Sequence, residues 1–281
     1  MQRQKSFQSN QPTLYLVATP IGNLSELSPR AIETLNQVDV IAAEDTRNTG
    51  TLLAKFAIKT PMITYHLFNE ADSAQGIIDL LNKGESVAIV SDAGYPLVSD
   101  PGQTLVNLTI QNNFPVVVIN GPSACLTALV ASGLPVQPFC FYGFLDAKDT
   151  QRVKQLEKLK KHEETLIFYE APHRIERMLK DVLMVFGDRK ICIGRELTKK
   201  FEEYLRGNVS EILEVIGECK GEMVVVVEGY NPEQQPVISM MEMMNTVDEY
   251  IKDGMTTSEA IKKAAKDYGV SKNEIYHQYF S

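Results

Sequence analysis

Strand-like and helix-like stretches alternate from Thr13 to Asn120, and this alternation constrains the fold more than any other feature. Short apolar runs such as "TLYLVA", "SVAIV" and "FPVVVIN" are separated by stretches with helical periodicity. The runs lack the strict apolar–polar alternation of half-exposed strands, which indicates strands buried on both faces of a mostly parallel sheet. Residues 13–120 are therefore predicted to form an α/β domain.

The second half of the chain has a different pattern. Strand-like runs such as "TLIFYE" and "EMVVVVEG" alternate with longer polar helices, and only a few residues separate "KICIGRE" from "EEYLRG". So short a connection favours antiparallel pairing. Residues 121–230 are predicted to form a second α/β domain with a mixed sheet.

Both ends of the chain differ from this core. Residues 1–12 are polar and lack the apolar segment of a secretory signal, so we expect them to be disordered. After the linker "NPEQQP", residues 237–281 have a helical pattern. Three short helices with a Gly-containing turn are typical of a helix-turn-helix and, equally, of a small packing or dimerisation bundle.

Charge and cysteine content limit the partners. The net charge of −8 gives no general attraction for nucleic acid, so an RNA partner would require local basic patches. Lys154, Lys158, Lys160 and Lys161 could form one, although a solvated helix face explains them as well. Four dispersed cysteines without a CxxC pair indicate free thiols in a reducing cytoplasm. No apolar run approaches the ~20 residues of a membrane span.

Several common chemistries lack their sequence signatures. The chain contains no GxGxxG after its first strand, no GxxxxGK[ST], no HExxH, no GxSxG and no spaced Cys/His set. These absences argue against a Rossmann dehydrogenase, a P-loop nucleotide hydrolase, an α/β-hydrolase and a zinc enzyme, so we predict no metal site.

Three loops rich in small and turn-forming residues follow strands of the first domain. They are "TPIGNL" (19–24), "SDAGYPLVSDPG" (91–102) and "NGPSA" (120–124). In open parallel sheets, ligands bind beyond the carboxyl ends of the strands. Glycine lets the backbone approach a ligand closely, and proline fixes a loop without offering an N–H. Since the loops contain no lysine, a neutral or cationic ligand is favoured over a phosphate.

Together with "DVIAAEDTRNTG", "LIFYEAPHR", "GRELTK" and "KGEMVVVVEG", these loops make the chain similar to the ribosomal RNA small subunit methyltransferase I family. That family belongs to the tetrapyrrole methylase (class III methyltransferase) superfamily. The resemblance implies a homodimer that uses S-adenosylmethionine as the methyl donor. It also implies that the donor binds in a folded conformation between the two domains. It also implies transfer of the methyl group to a cytidine 2′-hydroxyl in the decoding region of 16S rRNA.

The first loop bears on the acceptor. "ATPIGNL" stands where the superfamily usually has a glycine-rich loop, and this departure resembles the rRNA-modifying branch. A methylase of a tetrapyrrole or of a protein side chain is the alternative on the same fold. A noncatalytic cofactor-binding module is an alternative of a different class.

The resemblance also implies a set of cofactor-binding residues. These are Ile21, Gly22, Asp92, Tyr95, Ser123, Ala124, Tyr169, Gly221 and Glu222. Asp92 would lie near the cationic end of the donor, or would hold its own loop through Asx-type bonds to backbone. Asp100 precedes a proline and a helical pattern, so we expect it to be the N-cap of that helix.

Methyl transfer to a ribose hydroxyl requires a base, or a cation that stabilises the developing alkoxide. Charged residues at strand ends supply the candidates. Glu44 or Glu170 is predicted as the base and Arg47 or Arg195 as the substrate clamp, with His173 as an alternative base. For each of these side chains, a charge that only faces solvent is the competing explanation. Asp45 or Thr46 is expected to cap the helix "TRNTGTLLAKF".

Overall fold

The computed structural model describes residues 3–6, 11–65, 70–100, 102–234, 240–268 and 270–280. The chain divides into two units, Met1–Tyr230 and Asn231–Ser281. Part of the predicted disordered N-terminus (1–2 and 7–10) and part of the predicted tail (237–239, 269 and 281) lie outside the described residues.

The first half of the larger unit contains a five-stranded sheet in which every neighbouring pair is parallel, as predicted. Its strands are β1 (Leu14–Val17), β2 (Val40–Ala43), β3 (Met62–Thr64), β4 (Val87–Val90) and β5 (Val116–Ile119). The order across the sheet is β3-β2-β4-β1-β5. All four residues of the central strand β4 are buried because apolar clusters cover both faces of the sheet.

Four helices connect these strands: α1 (Pro29–Gln37), α2 (Thr46–Lys55), α3 (Glu70–Asn82) and α4 (Gln103–Gln111). Local sequence fixes the start of α1. The Ser28 hydroxyl accepts a hydrogen bond from the Ala31 N–H (3.1 Å), and Pro29 occupies the first helical position, where no N–H partner is needed.

The second half carries a mixed sheet, which confirms the predicted change of architecture. Its strands are β6 (Phe139–Phe144), β7 (Thr165–Glu170), β8 (Lys190–Arg195), β9 (Glu203–Asn208) and β10 (Met223–Val227). Their order across the sheet is β6-β7-β10-β8-β9. Only β6 and β7 pair in parallel, and β8 and β9 pair antiparallel, as the short connection between them predicts. The helices are α5 (Ala124–Ala131), α6 (Asp149–Leu159), α7 (Ile175–Phe186) and α8 (Val209–Val215).

Two apolar clusters cover the mixed sheet. On one face α5 packs through Cys125, Ala128 and Leu129 against β7, β8 and β10. The other face is the larger core, to which α6, α7 and α8 contribute. All four cysteines are free thiols, as predicted. No helix in the described part of the chain has the length and apolarity to cross a bilayer.

The smaller unit consists of three helices: α9 (Met240–Lys252), α10 (Thr257–Tyr268) and α11 (Lys272–Tyr279). They share one core that contains Val247, Ile261 and Ile275. A helical tail is therefore confirmed. A shared core is compatible with both predicted roles, a helix-turn-helix and a packing or dimerisation bundle.

Candidate active site

A cavity of about 380 Å³ lies where the loops that follow β1, β4 and β5 meet loops of the mixed sheet. This volume falls in the range of roughly 300–1,000 Å³ that is common for small-molecule sites. The wall residues from the loops that follow β1, β4 and β5 are Ile21, Asp92, Ala93, Gly94, Tyr95, Val98, Ser99, Asp100, Ser123 and Ala124. Those from the second half are Phe144, Tyr169, Glu170, Ala171, Pro172, Leu197, Glu222, Met223 and Val224.

Hydrogen bonds connect the three loops of the parallel sheet. Thr19 and Gly94 exchange backbone N–H···O bonds in both directions, at 2.9 and 3.0 Å. The Thr19 hydroxyl donates to the Ser91 carbonyl (3.0 Å), and the Gly121 N–H donates to the Tyr95 hydroxyl (3.2 Å). The loops that the sequence singled out separately therefore form one connected wall.

Gly121 allows the first and third loops to approach closely. A Cβ added to Gly121 would lie 2.9 Å from Ala18 Cβ and 3.2 Å from the Ala18 carbonyl oxygen. Any side chain at this position would push the two loops apart.

Seven of the nine residues predicted to bind the cofactor line the cavity: Ile21, Asp92, Tyr95, Ser123, Ala124, Tyr169 and Glu222. Gly22 and Gly221 do not. A Cβ on Gly22 would come within 2.5 Å of Lys199 Cγ, and one on Gly221 (φ +90°) within 2.3 Å of Glu196 Oε1. Both glycines therefore contact the 196–199 loop, which carries Leu197, a wall residue that sequence analysis missed.

The same loop brings a lysine next to the cavity and neutralises it. Lys199 Nζ lies 3.1 Å from Glu196 Oε1 and 3.5 Å from Glu222 Oε2. Among the described residues, no lysine or arginine lines the cavity, while four acids do: Asp92, Asp100, Glu170 and Glu222. The wall therefore suits a cationic ligand better than an anionic one.

Glu170, one of the predicted bases, lines the cavity but is only 2% exposed. Its carboxylate accepts hydrogen bonds from Arg174 Nη2 (3.3 Å) and from the Ala171 N–H (2.8 Å), and Arg174 Nε lies 3.1 Å from Oε1. Arg174 Nη2 also donates to the Leu145 carbonyl (2.8 Å). This ion pair ties the end of β7 to the start of α7.

Arg47 and Arg195, the predicted clamps, lie outside the cavity wall, and each is paired with an acid. Arg47 is 89% exposed and its Nη2 bonds Asp45 Oδ2 (3.1 Å), which holds the pKa of the Asp45 carboxyl below its usual range. Asp45 also caps α2, as predicted. Arg195 bonds Glu203 through Nε and the Lys220 carbonyl through Nη1 (3.2 Å).

The other predicted bases also lie outside the wall. Glu44 is exposed at the end of β2, and His173 is exposed in the turn before α7.

Asp100 is not the N-cap of α4, so that prediction is wrong. Gly102, with a φ of +130°, is the N-cap residue, and no side chain caps the helix. The loop before it turns through left-handed backbone at Leu97 (φ +72°) and Ser99 (φ +67°). Asp100 consequently lies on the cavity wall, partly buried.

Three acids converge at this point. Burial raises the pKa of the Asp100 carboxyl to about 6, and the negative charges of Glu44 and Asp92 add to the effect. Asp92 itself accepts a hydrogen bond from Asn48 Nδ2 (3.1 Å), which connects the loop after β4 to helix α2.

Two aromatic residues face the cavity from the mixed sheet. Burial raises the pKa of the Tyr169 hydroxyl above its usual range, so this group stays protonated. Phe144 meets Tyr169 edge to face, with 5.6 Å between ring centroids, yet remains 52% exposed. Sequence analysis missed Phe144 as a wall residue.

The family model described as Tetrapyrrole (Corrin/Porphyrin) Methylases matches residues 13–213. Three curated relatives carry the name ribosomal RNA small subunit methyltransferase I. The Bacillus subtilis protein is 46% identical over 99% of this chain and 98% of its own length. The Streptococcus pyogenes protein is 45% identical (99% and 99%), and the Synechocystis protein is 42% identical (94% and 95%).

Solved structures share the fold at low identity. Cobalt precorrin-4 methyltransferase, a cobalamin biosynthetic enzyme, has a TM-score of 0.59 at 15% identity, covering 77% of this chain and 94% of that chain. Uroporphyrin-III C-methyl transferase from Thermus thermophilus, complexed with S-adenyl homocysteine, has a TM-score of 0.55 at 17% identity, covering 77% and 97%. With two α/β domains around one cavity and full-length relatives above 40% identity, the chain belongs to the ribosomal RNA small subunit methyltransferase I family of the tetrapyrrole methylases.

Proposed function

We propose that this protein transfers the methyl group of S-adenosylmethionine to the 2′-hydroxyl of a cytidine in the decoding region of 16S rRNA. The observation that carries the proposal is the acid-lined cavity formed by the three family-typical loops. The full-length relatives named for small-subunit rRNA methylation support the choice of acceptor class.

The cavity residues fit the proposed donor. S-adenosylmethionine has a sulfonium and an ammonium, and the acids Asp92 and Asp100 supply the opposite charge. Apolar side chains such as Ile21, Leu197 and Val224 offer a surface for the adenosine part. The close Gly121–Ala18 contact holds the first and third loops together beside this surface. We assign donor binding to the seven predicted residues that line the cavity.

The donor supplies an electrophilic methyl group, and the chain must align the acceptor oxygen with it and remove a proton. Glu170 and its partner Arg174 would hold the end of β7 in place at the cavity wall. Arg47 has an exposed guanidinium and is our candidate for an rRNA phosphate contact. Alanine substitution of Glu44, Arg47, Glu170 and Arg195, one at a time, with single-turnover kinetics, tests the four predicted roles.

Small subunits from a strain that lacks the enzyme, incubated with the full chain and donor labelled in its methyl group, provide the main test. We expect label in 16S rRNA at one cytidine whose 3′ linkage resists alkali, because 2′-O-methylation removes the hydroxyl that attacks it. A base-labile linkage at the labelled nucleotide would contradict ribose methylation.

Parallel reactions address the alternatives. Uroporphyrinogen and ribosomal proteins serve as competing acceptors, and label in either of them but not in rRNA would refute the proposal. Donor binding without transfer to any acceptor would favour a binding module. The resemblance also implies a homodimer, which analytical ultracentrifugation tests, and we place the protein in the cytoplasm with its ribosomal substrate.

A further inference from the structure

One aromatic side chain of the cavity wall is left largely uncovered. Phe144 is 52% exposed, and among the described wall residues no other aromatic side chain is in the exposed class. A wall residue with half of its surface in solvent lies at the opening of the cavity. Single exposed apolar residues are common on protein surfaces, so the backbone that presents this ring decides what the exposure means.

A β-bulge in β6 turns Phe144 towards the cavity. The pairing of β6 with β7 shifts register between Phe141 and Gly143, where Tyr142 is the additional residue. After the shift, Phe144 lies opposite the wall residue Tyr169. Because side chains alternate between the two faces of a strand, Phe144 would point without the bulge into the core that α6, α7 and α8 cover.

Contacts on both sides of Phe144 hold this backbone in place. Gly143 has a φ of +82°, which favours glycine, and a Cβ there would lie 3.2 Å from Ser99 Oγ of the loop after β4. On the other side, Leu145 is buried, and its carbonyl accepts a hydrogen bond from Arg174 Nη2 (2.8 Å). The strand end that carries the exposed ring is therefore fixed before a ligand binds.

A planar apolar group fits a ring presented in this way. The wall acids supply the opposite charge for the donor, whereas Phe144 offers neither a charge nor a hydrogen bond. Unpaired RNA bases are planar, and proteins recognise them by stacking them on aromatic side chains. Since Phe144 lies at the opening, a base stacked on it would have its own ribose beside the donor cavity.

We propose that Phe144 is a positioning residue on which the base of the target cytidine stacks, an inference that rests on the proposed function. The phenyl ring holds the base at the opening of the cavity, and the ribose extends towards the donor. Phe144 takes part in no bond or proton change. It contributes by orienting the acceptor hydroxyl towards the methyl group.

The decisive variant is Phe144→Leu in the full chain, which keeps an apolar side chain but removes the ring. Its control is Phe139→Leu at the other end of β6, where the ring is 39% exposed and lies outside the cavity wall. Donor affinity is measured by calorimetry, affinity for unmodified small subunits by filter binding, and single-turnover methylation at saturating subunit.

We expect Phe144→Leu to lose about 10-fold or more in the saturated rate, because one stacking contact with the reacting nucleotide is removed. Both affinities should stay within about threefold of the wild type, because the phosphate contacts that dominate RNA affinity are unchanged. Phe144→Trp should recover most of the lost rate, since an indole also stacks on a base. Phe139→Leu should match the wild type in all three measurements.

A second readout needs no turnover. The chain contains no tryptophan, so Phe144→Trp introduces a single indole. Labelling this variant with 5-hydroxytryptophan allows excitation at wavelengths where the tryptophans of ribosomal proteins absorb little. Its fluorescence should be quenched by unmodified small subunits in the presence of S-adenosylhomocysteine, because a base then stacks on the indole. The same label in Phe139→Trp should show no quenching.

The outcomes separate this inference from the proposed function. Wild-type methylation by Phe144→Leu overturns the role of Phe144, and so does loss of donor affinity, which would make the ring a donor contact. Dissociation of a dimer by this variant in analytical ultracentrifugation overturns it as well, because the ring would then contact a second copy. If the wild type transfers no methyl group to the subunit, the proposed function fails, and the quenching of Phe144→Trp alone decides whether the ring stacks on a base.

Discussion

Replacing Asp100 by asparagine should stabilise the folded protein at neutral and alkaline pH. The folded state raises the pKa of this carboxyl from its ordinary 3.8 to about 6 because it is partly buried and lies near Glu44 and Asp92. A raised carboxyl pKa means that the folded state holds the proton more tightly than the unfolded state. The associated stability is present below pH 3.8 and is lost as the pH rises to about 6.

The size of the effect follows from the two pKa values. At about 1.4 kcal/mol per pH unit, the interval from 3.8 to about 6 corresponds to an upper bound of about 3 kcal/mol. Solvent screening at a partly buried group reduces this, so we expect a gain of about 1–2 kcal/mol for Asp100→Asn above pH 7. For a unit of this size that is about 3–6 °C in Tm.

Thermal unfolding of the donor-free protein at several pH values from 4.5 to 8 provides the assay. The difference in Tm between Asp100→Asn and the wild type should be small at pH 4.5, grow up to about pH 7 and then level off. The control variant Glu214→Gln, which changes an exposed acid on α8, should show no such growth. A variant less stable than the wild type at pH 8, or a difference that does not change with pH, would refute the electrostatic reasoning. A charge that lowers the stability of the folded state is typical of a residue kept for function.

Two further changes test the packing around the site. Gly121→Ala should weaken donor binding by about 10-fold in calorimetry, because its Cβ would lie 2.9 Å from Ala18 Cβ, whereas Gly76→Ala, which meets no atom within 4 Å, should leave binding unchanged. Arg152→Met should lower the free energy of unfolding by about 3 kcal/mol in a denaturant titration, because the fully buried guanidinium bonds Asp181 at 2.7 Å and its loss leaves that carboxylate unpaired. An unchanged denaturation midpoint would show that water solvates the Asp181 carboxylate well enough to replace the ion pair.

Much of the architecture could be predicted because it depends on local sequence. The Ser28-Pro29 start of α1, the buried run of β4 and the short β8–β9 connection each specify their own geometry within a few residues. The cavity wall was predictable for a related reason. Parallel strands end at one edge of the sheet, so three glycine- and proline-containing loops that follow such strands had to meet.

The position of Asp100 was not predictable in the same way. The sequence places it directly before a proline and a helical pattern, where aspartate is a common cap. The helix begins later because Gly102 takes a φ of +130° and lies against Leu97, whose Cδ1 would be 3.2 Å from a Cβ on Gly102. The backbone conformations of Leu97 and Gly102 depend on the folded loop. The periodicity of the local sequence therefore does not predict this contact.

The predicted catalytic residues show why the role of a charged side chain at a strand end is hard to predict from sequence. Sequence identifies a charged residue at a strand end but not whether another residue of the chain neutralises it. Glu170 is paired with Arg174, four residues later, and Arg195 with Glu203, its partner directly opposite in the β8–β9 register. Spacing could have identified the first pair, and the predicted antiparallel pairing the second. Once such locally satisfied charges are set aside, the wall acids that have no cationic partner among the described residues are Asp92 and Asp100. A charge that the fold leaves uncompensated is one that a ligand can use.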